Sequence, residues 1–117
     1  MKLALTVMNS STNIQLLSIL GHVGEGSVTP LGEEFEKLCE GPAVKLILDV
    51  KGIKGIDSSG IGELIKARND IIKRGGQVVL IGVNSRIERL IDISGLHNYF
   101  PIVSSVEDAV QLLGQPI

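Results

Sequence analysis

Two short segments, residues 44–50 and 77–83, constrain the fold more than anything else in the chain. Both are nearly continuous runs of Val, Leu and Ile, the first broken only by Lys45 and Asp49. A strand with one wet face alternates apolar and polar side chains, whereas a run apolar at almost every position must be covered on both faces. Between them, residues 58–74 carry Ile61, Leu64, Ile65, Ile71 and Ile72 at helical spacing, with Gly75-Gly76 as the stop. Strand, helix and strand in that order predict a crossover unit, and hence a parallel sheet with helices packed on it.

The flanking sequence extends this plan. Leu3, Leu5 and Val7 alternate with Lys2, Ala4 and Thr6, which predicts a strand; residues 10–13 (Ser-Ser-Thr-Asn) read as a turn and 14–20 as its partner strand. The opening hairpin makes the sheet mixed. Residues 21–26 read as a flexible loop. Thr29 is placed as a helix cap with Pro30 at the first helical position, and Leu31, Phe35 and Leu38 share one face of a helix ended by Gly41-Pro42. Residues 51–57 read as a loop. Asn84 or Ser85 caps a short helix with Ile87, Leu90 and Ile91 inward, ended by Gly95. Residues 99–103 read as a last strand. Ser105 and Asp108 resemble a capping box for a final helix burying Val106, Ala109, Val110 and Leu113. The expected order is β-β-α-β-α-β-α-β-α, an α/β fold with a mixed, largely parallel sheet, an N-terminal hairpin and about four helices. With 117 residues and no linker, repeat or low-complexity stretch, one domain over 1–117 is expected.

Composition removes several function classes. Eleven basic against thirteen acidic residues give a net charge of −2, and one Tyr, two Phe and no Trp leave little to stack on bases, so no nucleic-acid partner is expected. Cys39 is the sole cysteine, which excludes an intrachain disulfide or thiolate cluster and reads as an inert thiol. The N-terminal apolar stretch stops at Asn9 without a small-x-small cleavage site, and no window is long enough for a membrane span. A cytoplasmic protein without a membrane span is expected, with a mean hydropathy of +0.32 hinting at an apolar surface patch for a partner.

Ligand sites on parallel sheets lie at the carboxyl ends of strands, where loops run into helix N-termini. The candidate here is Asp57-Ser58-Ser59-Gly60-Ile61-Gly62. Glycines Gly60 and Gly62 in the first turns of a helix each cost about 1 kcal/mol relative to Ala, a cost natural chains bear where another backbone or molecule comes close. The plainer reading is that Asp57 or Ser58 caps the helix and the glycines permit tight packing on the sheet. Sharper motifs fail. Ile65 stands where a dinucleotide fingerprint needs its third glycine, there is no P-loop, and Ile56 replaces the first glycine of a nucleophile elbow around Ser58. Ser58, Asp92 and His97 run in hydrolase order but lack an evident oxyanion loop. His22 and His97 have no carboxylate pattern around them that suggests a metal.

Residues 46–50 (Leu-Ile-Leu-Asp-Val), 56–62 and 74–80 (Arg-Gly-Gly-Gln-Val-Val-Leu) together resemble the STAS domain family. The block Ile91-Asp92-Ile93-Ser94-Gly95-Leu96 strengthens the likeness, and within the family the chain is most similar to bacterial anti-sigma factor antagonists. The resemblance implies a STAS-like fold and partner switching. Such an antagonist binds an anti-sigma factor, often a serine kinase, and frees a sigma factor. The kinase phosphorylates the first serine of the D-S-S-G motif, here Ser58, and a PP2C-type phosphatase restores the antagonist. It implies a binding protein and not an enzyme, with the ATP belonging to the kinase and no cofactor of its own. Asp57, Ser58, Ser59, Gly60, Ile61 and Gly62 become partner-binding residues. The family's acidic residue at the end of the second strand corresponds at best to Glu25, within Gly21-His22-Val23-Gly24-Glu25-Gly26. Alternatives are an unswitched STAS scaffold or accessory subunit of a stressosome-like or lipid-transport assembly and, more remotely, a small serine hydrolase.

Overall fold

The computed structural model describes residues 1–24 and 28–114. Strands β1 (Lys2–Asn9) and β2 (Ile14–Val23) form the expected antiparallel hairpin, turned at Asn13, whose φ of 53° lies in the left-handed region that Asn tolerates. Helix α1 (Val28–Cys39) is followed by β3 (Lys45–Asp49), β4 (Ile53–Ile56), α2 (Ser58–Lys73), β5 (Gln77–Ile81), α3 (Ser85–Ser94), a 3-10 turn (Leu96–Asn98) and α4 (Val106–Leu113). The strands run β1-β2-β3-β5 across the sheet, with β4 also beside β2; apart from the hairpin every pairing is parallel. The α/β class, the mixed sheet and the four helices are as the sequence predicts.

The continuous apolar runs are explained by two cores, one on each face. Leu46, Leu48, Val78 and Leu80 point to the face covered by α1, α2 and α3, with Leu31, Phe35, Leu64, Ile71, Ile87 and Ile91 packed against them. Ile47, Val79 and Ile81 alternate to the other face, where Ile14, Ala109 and Leu113 meet them beneath α4. A side-chain period of two therefore serves two apolar environments at once. Ser105 caps α4 by accepting from the Asp108 N–H at 3.1 Å, and Asn84 caps α3 by accepting from the Ile87 N–H at 3.0 Å.

Five local expectations need correction. Residues 51–57 are not all loop. Ile53–Ile56 forms β4, which pairs with β2, and this pairing draws β2 on through residues 21–23, read from sequence as loop. Residues 99–103 form no strand: only Ile102 bridges to Leu80, although the Leu80 N–H donates to the Pro101 carbonyl and the Val103 N–H to the Leu80 carbonyl. Pro101 has no N–H with which to extend a ladder. Helix α1 starts at Val28, ahead of Thr29 and Pro30, so its cap falls outside the described residues. On α2 the buried stripe is Gly60, Leu64, Ala67 and Ile71, while Ile72 faces out at 42% exposure.

Candidate functional site

The site grows from the end of β4. After Ile56 the chain leaves the sheet, and Asp57, with extended backbone at φ −101° and ψ −178°, caps α2. Its Oδ1 accepts from the Gly60 N–H at 3.0 Å, its carbonyl accepts from the Ile61 N–H at 3.0 Å, and its own N–H donates to the Val23 carbonyl at 3.1 Å. Asp57 therefore satisfies the helix start and fastens it to the end of β2. The same carboxylate lies against Gly24, where a Cβ would stand only 2.4 Å from its Oδ2. A side chain at 24 would have to displace that carboxylate.

Ser58 and Ser59 follow as the first two helical residues, both exposed, at the end of a helix where backbone N–H groups and the macrodipole favour negative charge. The two glycines beyond them separate in meaning. Gly60 is buried: a Cβ there would lie 2.5 Å from the Val23 carbonyl oxygen and 2.9 Å from Ile56 Cγ1, so the close approach of α2 to β2 already requires glycine. Gly62 is exposed and a Cβ would meet nothing within 4 Å. Nothing among the described residues explains it. Ile61 is half-buried between them and packs on the main core.

The strand neighbours of β4 come from distant sequence. Pairing of β2 with β4 sets His22 beside Gly55, with the imidazole lying where a Gly55 Cβ would be, 2.6 Å from its Cε1. Lys54 is exposed on β4. Behind the site Ile56 and Leu64 share an apolar lining with Ile87, Leu90 and Ile91 of α3, so α3 buttresses the start of α2. Val23 and Gly24 were not recognised from sequence as neighbours of Asp57, because the strand that brings them there was itself read as loop. Glu25 lies outside the described residues.

The hydrolase constellation is not assembled. Asp92 Oδ1 and His97 Nδ1 are 4.0 Å apart in an exposed pair at the end of α3, and among the described residues neither is bonded to Ser58. Among the described residues no group of three or more His, Cys, Asp or Glu could hold a metal ion, and no helix is long and apolar enough to cross a membrane. A polar hollow of about 680 Å³ lies between α1 and α2, lined by Glu36, Glu63, Lys66, Asp70, Lys73 and Arg74 among others. None of residues 57–62 lines it. Cys39 borders it half-buried; burial pushes its thiol pKa up, against a smaller lowering by the Arg74 guanidinium, which donates from Nη1 to the Cys39 carbonyl at 3.0 Å. What residues 57–62 offer is an open surface built on a rigid helix start.

The chain as a whole is similar to known proteins. The anti-sigma-B factor antagonist of Bacillus subtilis (strain 168) is 30% identical over 111 residues, which span 95% of this chain and 100% of that one. The anti-sigma F factor antagonist of Paenibacillus polymyxa is 32% identical over 65 residues, 56% of each chain. The anti-sigma factor antagonist SpoIIAA superposes in its unphosphorylated form with a TM-score of 0.73 at 13% identity, over 97% of this chain and 100% of that one. SpoIIAA of Bacillus in the phosphorylated form gives 0.70 at 16% identity, over 95% and 98%. With the STAS domain profile matching residues 6–109, the chain belongs to the STAS domain family.

Proposed function

We propose that this chain is a phosphorylation-controlled binding module, an anti-sigma factor antagonist working as a single domain over 1–117 in the cytoplasm. Unphosphorylated, it holds an anti-sigma factor that is itself a serine kinase, and so frees a sigma factor. Phosphorylation of Ser58 by that kinase releases it, and a PP2C-type phosphatase resets it. The chain is then a substrate and a ligand, with no catalytic step and no cofactor of its own.

The observation that carries this reading is the pairing of an exposed Ser58 with an exposed Gly62 one helical turn on, a glycine that nothing among the described residues explains. A bare backbone there lets a partner surface lie flat against the first turns of α2. Phosphate adds about −1.5 to −2 charges at pH 7. At a helix start it is tolerated, so the fold stands. The Gly60 N–H, however, is already taken by Asp57 Oδ1, and the new dianion sits beside that carboxylate and faces solvent. Burying it unpaired in an interface would cost several kcal/mol, enough to dissociate a complex. The near full-length similarity to the Bacillus subtilis antagonist supports the same reading.

The test is capture of partner chains by wild type, Ser58→Ala and Ser58→Asp, with phosphosites mapped by mass spectrometry after incubation with the captured kinase and ATP. Wild type and Ser58→Ala should hold the anti-sigma factor, Ser58→Asp should lose it while remaining folded, and phosphate should map to Ser58. A constitutive complex indifferent to both substitutions would replace this reading with an unswitched STAS scaffold.

A further inference from the structure

Strand β1 is the outermost strand of the sheet, and among the described residues nothing pairs with its outer edge. Natural sheets protect such edges with internal lysines, prolines, bulges, inward charges or a covering element. Over Lys2–Asn9 the one charge is Lys2, at the very start, and there is no proline. Leu5 and Val7, on the side of the sheet that carries α1, are 42% and 58% exposed. A register shift against β2 between Val7 and Asn9 interrupts the edge at its far end, which leaves Leu3–Val7 as an apolar stretch without protection.

We infer that β1 is a self-recognition edge, through which two copies of this chain pair antiparallel about a two-fold axis at Leu5 into one continuous sheet. The strand is self-complementary in that register. Leu5 meets Leu5 of the second copy, Leu3 meets its Val7 and Val7 its Leu3, an all-apolar ladder on one face. On the other face Ala4 and Thr6 meet each other's counterparts and Lys2 falls opposite the irregular end of the second strand at Met8, so the two lysines lie at opposite ends. A parallel arrangement would set them side by side. Charges beside the ladder fit as well. The hollow next to Leu5, about 220 Å³, is also lined by Glu34 and Lys37 of α1, one acid and one base. A two-fold at Leu5 carries Glu34 of one copy towards Lys37 of the other. The occupant is a second copy because the strand, the ladder and the flanking charges all complement themselves. The inference stands apart from the Ser58 switch.

Sedimentation equilibrium from about 1 µM to about 1 mM spans the affinities of small, edge-mediated interfaces. The mass should rise from 12.5 kDa towards twice that value. The double variant Leu5→Lys/Val7→Lys, verified as folded by circular dichroism, should raise the dimer dissociation constant more than about tenfold, because the central ladder then opposes like charges. A Cys39→Ser/Leu5→Cys protein should cross-link to itself with a short bismaleimide, while Cys39→Ser/Gln111→Cys, placed on α4, should not. A mass of 12.5 kDa at every concentration overturns the inference. So does a dimer that survives the two lysines, or one that cross-links through position 111 and not through position 5.

Discussion

Alanine at positions 60 and 62 should move stability in opposite directions, although both glycines lie in the first turns of one helix. In each case alanine gains helix propensity, about 0.8–1 kcal/mol in a helix interior and less this near the N-terminus. At Gly62 nothing among the described residues lies within 4 Å of the new methyl, so that gain stands alone. Gly62→Ala should therefore stabilise by about 0.5–1 kcal/mol, or roughly 2–5 °C in Tm for a chain of this size. At Gly60 the methyl would fall 2.5 Å from the Val23 carbonyl oxygen and 2.9 Å from Ile56 Cγ1. Overpacking costs about 1–3 kcal/mol, and the upper part of that range applies because one obstacle is backbone that also accepts the Asp57 N–H. Net of propensity, Gly60→Ala should lose about 1–2 kcal/mol, a fall of roughly 4–10 °C. Thermal unfolding by circular dichroism reads both. If Gly62→Ala melts below wild type, or Gly60→Ala matches it, the division of the two glycines between fold and surface is wrong. The binding assay completes the contrast, since Gly62→Ala should weaken capture of the anti-sigma factor even as the protein becomes more stable.

Three further outcomes follow from the packing. Asp57→Ala removes the cap of α2 and its tie to Gly60 and should cost about 1 kcal/mol, with Asp57→Asn retaining most of the stability; chemical denaturation measures the difference. Ile71→Ala should cost about 2–5 kcal/mol because Ile71 is buried, while Ile72→Lys should stay within about 0.5 kcal/mol of wild type by the same denaturation series. Burial raises the Cys39 pKa, so its thiolate forms only at higher pH than in a free cysteine. The iodoacetamide rate should be slow near neutrality and still climbing where a model thiol has levelled off, a profile followed by intact mass.

The chain discloses what local chemistry decides and hides what pairing decides. The runs at 44–50 and 77–83 are strands in any context that covers both faces, and Asn84 and Ser105 cap their helices through side chains of their own. Residues 53–56 are different. Four residues with a glycine inside and another just before carry no periodicity, and they are strand because β2 lies alongside. Once that pairing is missed, Val23 and Gly24 cannot be placed beside Asp57 either. At 99–103 the apolar residues suggested a strand, but Pro101 leaves a single bridge. On α2 the adjacent Ile71 and Ile72 cannot both face the core, and only their phase relative to Leu64 and Ala67 selects Ile71. The special character of residues 57–62 was legible from two glycines where a helix prefers none. That one of them serves the fold and the other the surface required knowing where Val23 lies.

The division of the apolar side chains between two faces has a dynamic consequence. Helix α4 rests on β3 and β5 through the smaller core, while α2 and α3 share the larger one across the sheet. Detaching α4 exposes only Ile14, Ile47, Val79, Ile81 and their neighbours, so its amides should exchange with solvent through a partial opening of lower free energy than global unfolding. Such an opening leaves Asp57 fastened to Val23 and the start of α2 in place. The protein can breathe at one face without altering the surface it presents at the other.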